Sequence, residues 1–112
     1  GKLHGEYKLI SHGRQRKDEI RHYKNGKLHG DKKIYLDGKL VERHQCVKGK
    51  LHGMSTFWYN NGNVKSEVPY NHGKIHGTHK RFHIDGRFKI SEHYIKGVLY
   101  INGQPQRSTV VN

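Results

Sequence analysis

The chain has 112 residues, of which 31% are hydrophobic and 28% charged, with 14 glycines and 2 prolines. One domain fits in that length, and so small an apolar share excludes the large core of an ordinary globular enzyme. Lys and Arg number 22 against 9 Asp and Glu, a formal charge of +13 with the 11 histidines neutral, which points to anionic partners: nucleic acid, an anionic membrane surface or an acidic protein face.

The first element met along the chain is a word that returns. GKLHG stands at residues 1–5, 26–30 and 49–53, GKIHG follows at 73–77, and Gly97 opens a degenerate fifth copy. A fixed period of this kind decides the architecture before any local reading does. The units are 1–25, 26–48, 49–72 and 73–96, with a partial fifth from 97; the repeat domain covers 1–100 and a tail covers 101–112. The chain opens inside a copy of the motif, as expected of a piece of something longer.

Each unit carries an inner glycine (Gly13, Gly38, Gly62, Gly86) and ends at an outer one (Gly26, Gly49, Gly73, Gly97). Neighbours such as Asn25, Asp37, Asn61 and Asp85 make Asn-Gly and Asp-Gly pairs, which supply the positive φ angles of tight hairpin turns. Strand-length segments rich in Tyr, Ile, Val, Phe and Trp lie between the turns. The fold expected is all-β: consecutive antiparallel hairpins in one elongated, twisted sheet. The first unit carries Gln15 in an apolar column and two extra residues before Gly26; it reads as an end cap or a bulged strand.

Aligning the units predicts the core. Leu3, Leu28, Leu51, Ile75 and Leu99 follow the outer glycine by two; Ile10, Tyr35, Trp58 and Phe82 follow it by nine. Leu40, Val64 and Phe88 follow the inner glycine, and Tyr23, Cys46, Tyr70 and Tyr94 precede the next outer one. Leu40 and Cys46 are six apart, which on an unbroken strand sets them on the same face. Leu28, Tyr35, Leu51, Trp58, Tyr70, Ile75, Phe82 and Tyr94 are therefore expected to line one buried face, continuous only when units stack.

These residues carry a resemblance. GK[LI]HG, an aromatic strand, Asp/Asn-Gly-Lys/Arg, and a second strand ending in Tyr before the next outer glycine resemble the MORN repeat. They are most similar to its short variant in bacterial YwqK-type antitoxin-like proteins and in repeat proteins of large DNA viruses. The aromatic expected six residues after the outer glycine survives only as Tyr7, and is Lys32, Ser55 and His79 elsewhere. The resemblance implies no enzyme activity and no cofactor; members serve as scaffolds, membrane-proximal modules or assembly parts.

The residues offer little chemistry of their own. His4, His29, His52 and His76 recur one per unit, roughly 10 Å apart on a two-strand repeat, too far for one zinc to bridge; no metal site is expected. Cys46 and His44 share a face, but Cys46 fills a column occupied by Tyr elsewhere and reads as a small buried hydrophobe, leaving no catalytic residue. As the single cysteine, it excludes an internal disulfide. GK[LI]HG lacks the spacing of a phosphate loop and precedes a strand. No apolar run approaches the ~20 residues of a helical membrane span, and no signal peptide is visible. A cytoplasmic or virion location is expected before a secreted one.

The lysines are the stronger signal. Lys2, Lys27, Lys50 and Lys74 follow the outer glycines, and Lys24, Lys48 and Lys96 precede the next ones, so stacked hairpins set them along one edge as a basic rim. Arg14, Lys39 and Arg87 mark the opposite edge. The function expected is a non-catalytic structural or protein-interaction module of a larger assembly, such as a viral capsid or a cortical scaffold, its rim meeting acidic surfaces. The alternatives are a YwqK-like antitoxin that binds a toxin, and a peripheral binder of anionic lipid or nucleic acid, without sequence-specific DNA recognition.

Overall fold

The computed structural model describes residues 2–11 and 13–106, and every regular element in them is a β-strand. In chain order these are β1 (Gly5–Ile10), β2 (Lys17–Lys24), β3 (Lys27–Leu28), β4 (Gly30–Leu36), β5 (Lys39–Val47), β6 (Lys50–Leu51) and β7 (Gly53–Trp58). There follow β8 (Val64–Asn71), β9 (Lys74–Ile75), β10 (Gly77–Phe82), β11 (Phe88–Ile95), β12 (Val98–Ile101) and β13 (Gln104–Gln106). All belong to one antiparallel sheet in which strands adjacent in sequence are adjacent in space, with β3, β6 and β9 as two-residue pairings beside β2, β5 and β8. The radius of gyration, 16.6 Å, exceeds the ~13 Å of a compact chain of about this size, as an open single layer requires.

GK[LI]HG builds the outer edge in two steps. Its first glycine closes a two-residue turn in which both residues have positive φ: Asn25-Gly26, Lys48-Gly49, His72-Gly73 and Lys96-Gly97, the mirror-image geometry that matches strand twist. Its His-Gly pair then interrupts the strand. The register slips by two residues between Tyr23↔Leu28 and Ile20↔Lys33, and again between Cys46↔Leu51 and Glu42↔Phe57 and between Tyr70↔Ile75 and Lys80↔Glu67. The second glycine allows this. At Gly53, with φ of 108°, Gln45 Oε1 passes through the space a β-carbon would fill to accept the Met54 N–H at 3.2 Å.

The inner turns differ among units, and this accounts for the uneven period. In the second unit Asp37-Gly38 is a two-residue turn with both φ positive. The third and fourth units use three-residue loops. Tyr59 and Asn63, and likewise His83 and Arg87, close them through backbone bonds. Only Gly62 and Gly86 are left-handed there, not Asn61 and Asp85, so the Asn-Gly and Asp-Gly pairs do not all make the same turn. Gly13 has no positive φ. Among the described residues the first unit shows no bulge, since β1 and β2 pair without a register shift, and more residues separate Ile10 from Lys17 than separate the paired strands of the later units.

A β-bulge divides the expected core. The register shifts between Ile34 and Tyr35, between Phe57 and Trp58, and between Arg81 and Phe82, leaving Val41, Lys65 and Lys89 as the extra residues. One extra residue moves everything beyond it to the other side of the sheet. Leu40 therefore faces away from Cys46 despite the six-residue spacing. The eight residues expected on one face fall on two: Leu28, Leu51, Tyr70, Ile75 and Tyr94 on one, Tyr35, Trp58 and Phe82 on the other, all half-buried.

The buried residues among those described are Ile34, Val41, Cys46, Val68 and Ser55; register places Ile34, Cys46, Val68 and Ser55 on the face of Leu51 and Tyr70, while Val41 is the unpaired residue of its bulge. No second layer covers the sheet among the described residues, and this more buried side is its inner face. The outer face keeps Phe88 58% exposed. The sheet also runs past the expected repeat boundary. Asn102-Gly103 forms another left-handed turn, and Tyr100 pairs with Pro105, so residues 101–106 extend the sheet. The apolar pair Val110-Val111 of the expected tail lies outside the described residues.

Candidate anion-binding edge

The outer turns are fastened to one another by the motif itself. Each outer glycine donates its N–H to the carbonyl of the residue two places after the preceding outer glycine: Gly26 to Leu3, Gly49 to Leu28, Gly73 to Leu51 and Gly97 to Ile75, at 2.8–2.9 Å. Three motif histidines add a side-chain tie. Nδ1 of His4, His52 and His76 accepts the backbone N–H of Asn25, His72 and Lys96, which puts the neutral imidazole proton on Nε2. These are the left-handed residues of the next turn.

The lysines after the glycines lie on this ladder. A β-carbon built on Gly26, Gly49, Gly73 or Gly97 would stand 3.6–3.9 Å from Cβ of Lys2, Lys27, Lys50 or Lys74 respectively. Each stem lies beside the following turn, whose glycine is called for by its positive φ rather than by lack of space, while the ammonium extends to solvent. Lys48 and Lys96 occupy the left-handed turn positions themselves. Lys24 is one place earlier, directly opposite Lys27.

The structure brings four of these lysines round one depression, of about 480 Å³: Lys2, Lys24, Lys27 and Lys48, with Asn25 and His29. No carboxylate lines it, and among the described residues none of the seven outer-edge lysines is in an ion pair. Lys50, Lys74 and Lys96 continue the edge beyond it. Four like charges so close lower one another's stability unless an anion comes between them.

The opposite edge is spent on itself. Lys39 Nζ donates to the Asn60 carbonyl at 3.3 Å, and Asn61 and Asn63 both donate to the Ile84 carbonyl. Arg87 Nε binds Asp85 at 2.6 Å. The Arg87 backbone N–H holds the Asp85 carboxyl below the usual carboxylate range, with its guanidinium adding to the effect. Arg14 is exposed in the first unit's loop.

One constellation escapes a reading by spacing. His44 Nδ1 lies 2.8 Å from Ser55 Oγ, and its Nε2 lies 3.0 Å from Glu42 Oε1. An ionised carboxylate only accepts, so the neutral tautomer that fits donates through Nε2 and accepts a hydrogen bond from the Ser55 hydroxyl at Nδ1. The order Ser-His-Glu is that of a nucleophilic triad, but Ser55 is 0% exposed and no substrate reaches its Oγ. The network satisfies polar groups inside the sheet. Cys46 is buried as well, and burial pushes its thiol up, with Lys32 acting against and Asp31 with the shift; such a thiol is unreactive.

Among the described residues there is no group of three or more metal-ligating side chains and no helix long and apolar enough to cross a membrane. A scan of protein-family models finds no match to the chain, and no curated protein matches it significantly.

Proposed function

We propose that the chain is a non-catalytic repeat module that docks through its outer edge onto an acidic protein surface within a larger assembly, a capsid or cortical scaffold being the type of setting that suits it. The observation that carries this reading is the acid-free row of lysines set at regular intervals by turns that are bonded to one another through the backbone. A flexible solubilising rim has no need of such placement, whereas a rigid acidic partner rewards it, because less side-chain freedom is lost on binding. The half-buried aromatic residues of the inner face support a continuous sheet and give no outward stacking platform along this edge.

Retention on immobilised poly-glutamate tests the reading, beside vesicles rich in phosphatidylserine and a duplex oligonucleotide as competitors. Lys27→Glu, Lys50→Glu and Lys74→Glu together are expected to abolish retention that Lys39→Glu with Arg87→Glu leaves in place. Equal losses from the two edges, or competition by vesicle or duplex stronger than by free poly-glutamate, would overturn it.

A further inference from the structure

The bulges put lysine where the sheet's inner face would otherwise be apolar. In the second unit the extra residue is Val41, which is buried, and the residue after it is Glu42. In the third and fourth units the same two positions hold Lys65-Ser66 and Lys89-Ile90. The hollow between the second and third units, about 310 Å³, is lined by Val41 and Glu42, with Trp58 and Lys65 also at its wall. The next one along, about 410 Å³, is lined by Lys65, Arg81 and Lys89 and by no carboxylate.

The floor of that second hollow is apolar: Phe57, Val68, Tyr70 and Ile75, with Tyr59 at its side. It is also stiff. Tyr59 Oη donates to the Phe82 carbonyl at 2.8 Å, and the Lys65 ammonium stands 5.8 Å from the Tyr59 ring centroid. Arg81 is held by Glu92 at 3.2 Å, whereas Lys65 and Lys89 are exposed and in no ion pair among the described residues. The size is that of a ligand pocket, and the pattern is an apolar seat with two free cations over it.

We infer that this inner-face hollow is a second binding site, separate from the outer edge, which seats one aromatic or aliphatic side chain of an acidic peptide segment while flanking carboxylates meet Lys65 and Lys89. A nucleic-acid strand fits less well. It needs a continuous cationic track, and further along the inner face the Arg21 guanidinium is answered by Glu19.

The test is fluorescence anisotropy with a labelled peptide of glutamates and aspartates around a single phenylalanine. A second peptide has serine in place of the phenylalanine, and an oligothymidylate of equal charge serves as a third probe. The phenylalanine peptide is expected to bind roughly tenfold more tightly than the serine peptide, and Lys65→Gln with Lys89→Gln to weaken it by a further factor of ten or so. The outer-edge triple reversal should change this preference for phenylalanine by less than about twofold, because additivity holds for distant sites; it therefore fails or survives independently of the docking edge. Circular dichroism checks that the exposed Lys→Gln variants keep the fold. Equal affinity for the two peptides, insensitivity to the Lys→Gln pair, or tighter binding of oligothymidylate would each overturn the inference.

Discussion

Nδ1 of His76 accepts the backbone N–H of Lys96 at 3.0 Å, tying one repeat's motif to the left-handed turn that ends it. The same bond joins His52 to His72 at 3.1 Å. In these copies the motif histidine is a structural acceptor. His76→Ala should lower stability by about 1 kcal/mol, the usual net worth of such a bond, read as a lower urea midpoint at unchanged slope. Lys96→Asn should raise the midpoint, since Asn tolerates the left-handed angle of 48° better than Lys does. An unaltered His76→Ala midpoint would mean that the bond does not hold the turn.

The inner face carries the sheet's stability. Val68 is 6% exposed and Phe88 58%. Val68→Ala should cost about 2 kcal/mol, from lost transfer energy and the void left behind. Phe88→Ala should stay within about 0.5 kcal/mol, although the ring is the larger group. Urea unfolding of the two variants checks the order, and its reversal would mean that the bulge does not divide the faces as described.

Stability should also respond to pH through His79. Its side chain is 12% exposed beside Glu92, and its pKa is lowered from 6.5 by burial first and by Arg81 next, against the pull of Glu92. The folded chain disfavours the imidazolium, so below pH 6.5 the unfolded chain binds more protons and stability rises with pH. The contribution is complete above 6.5 and is lost as pH falls through the lowered folded value. His79→Gln should flatten the stability curve in that window, measured by urea midpoints at a series of pH values; a steeper curve would contradict the sign.

The hairpins and their turns were legible because glycine at a left-handed position leaves a fixed mark in the sequence: Gly26, Gly49, Gly73 and Gly97 recur with the period of the fold. The bulges leave none. Val41, Lys65 and Lys89 share no chemistry, and alternation counted from Leu40 to Cys46 passes straight over the extra residue. The column of Tyr35, Trp58 and Phe82 is placed on the wrong face for that reason. Gly30, Gly53 and Gly77 did carry a signal, since a second glycine three residues into each strand segment marks the register slip. The Ser55–His44–Glu42 network had no signature, because it depends on the pairing of two strands and not on spacing. In the candidate site, the lysine row was readable from the repeat, but the position of each stem beside the next turn required the stacked turns. The inner-face hollow depends on the bulges and was invisible for the same reason they were.

The most direct test of the docking edge is the salt dependence of binding to an acidic protein surface, represented by poly-glutamate, for the wild-type chain, the Lys27→Glu/Lys50→Glu/Lys74→Glu variant and a chain ending after Gln106. The Debye length falls from roughly 30 Å at 0.01 M to about 8 Å at 0.15 M, so an exposed lysine row should lose affinity steeply over that range. Wild type and the shortened chain should show the same steep slope, and the triple variant a shallow one with weak binding throughout. Binding that ignores salt and disappears on removing residues 107–112 would contradict the account and leave the lysines as a solubilising rim.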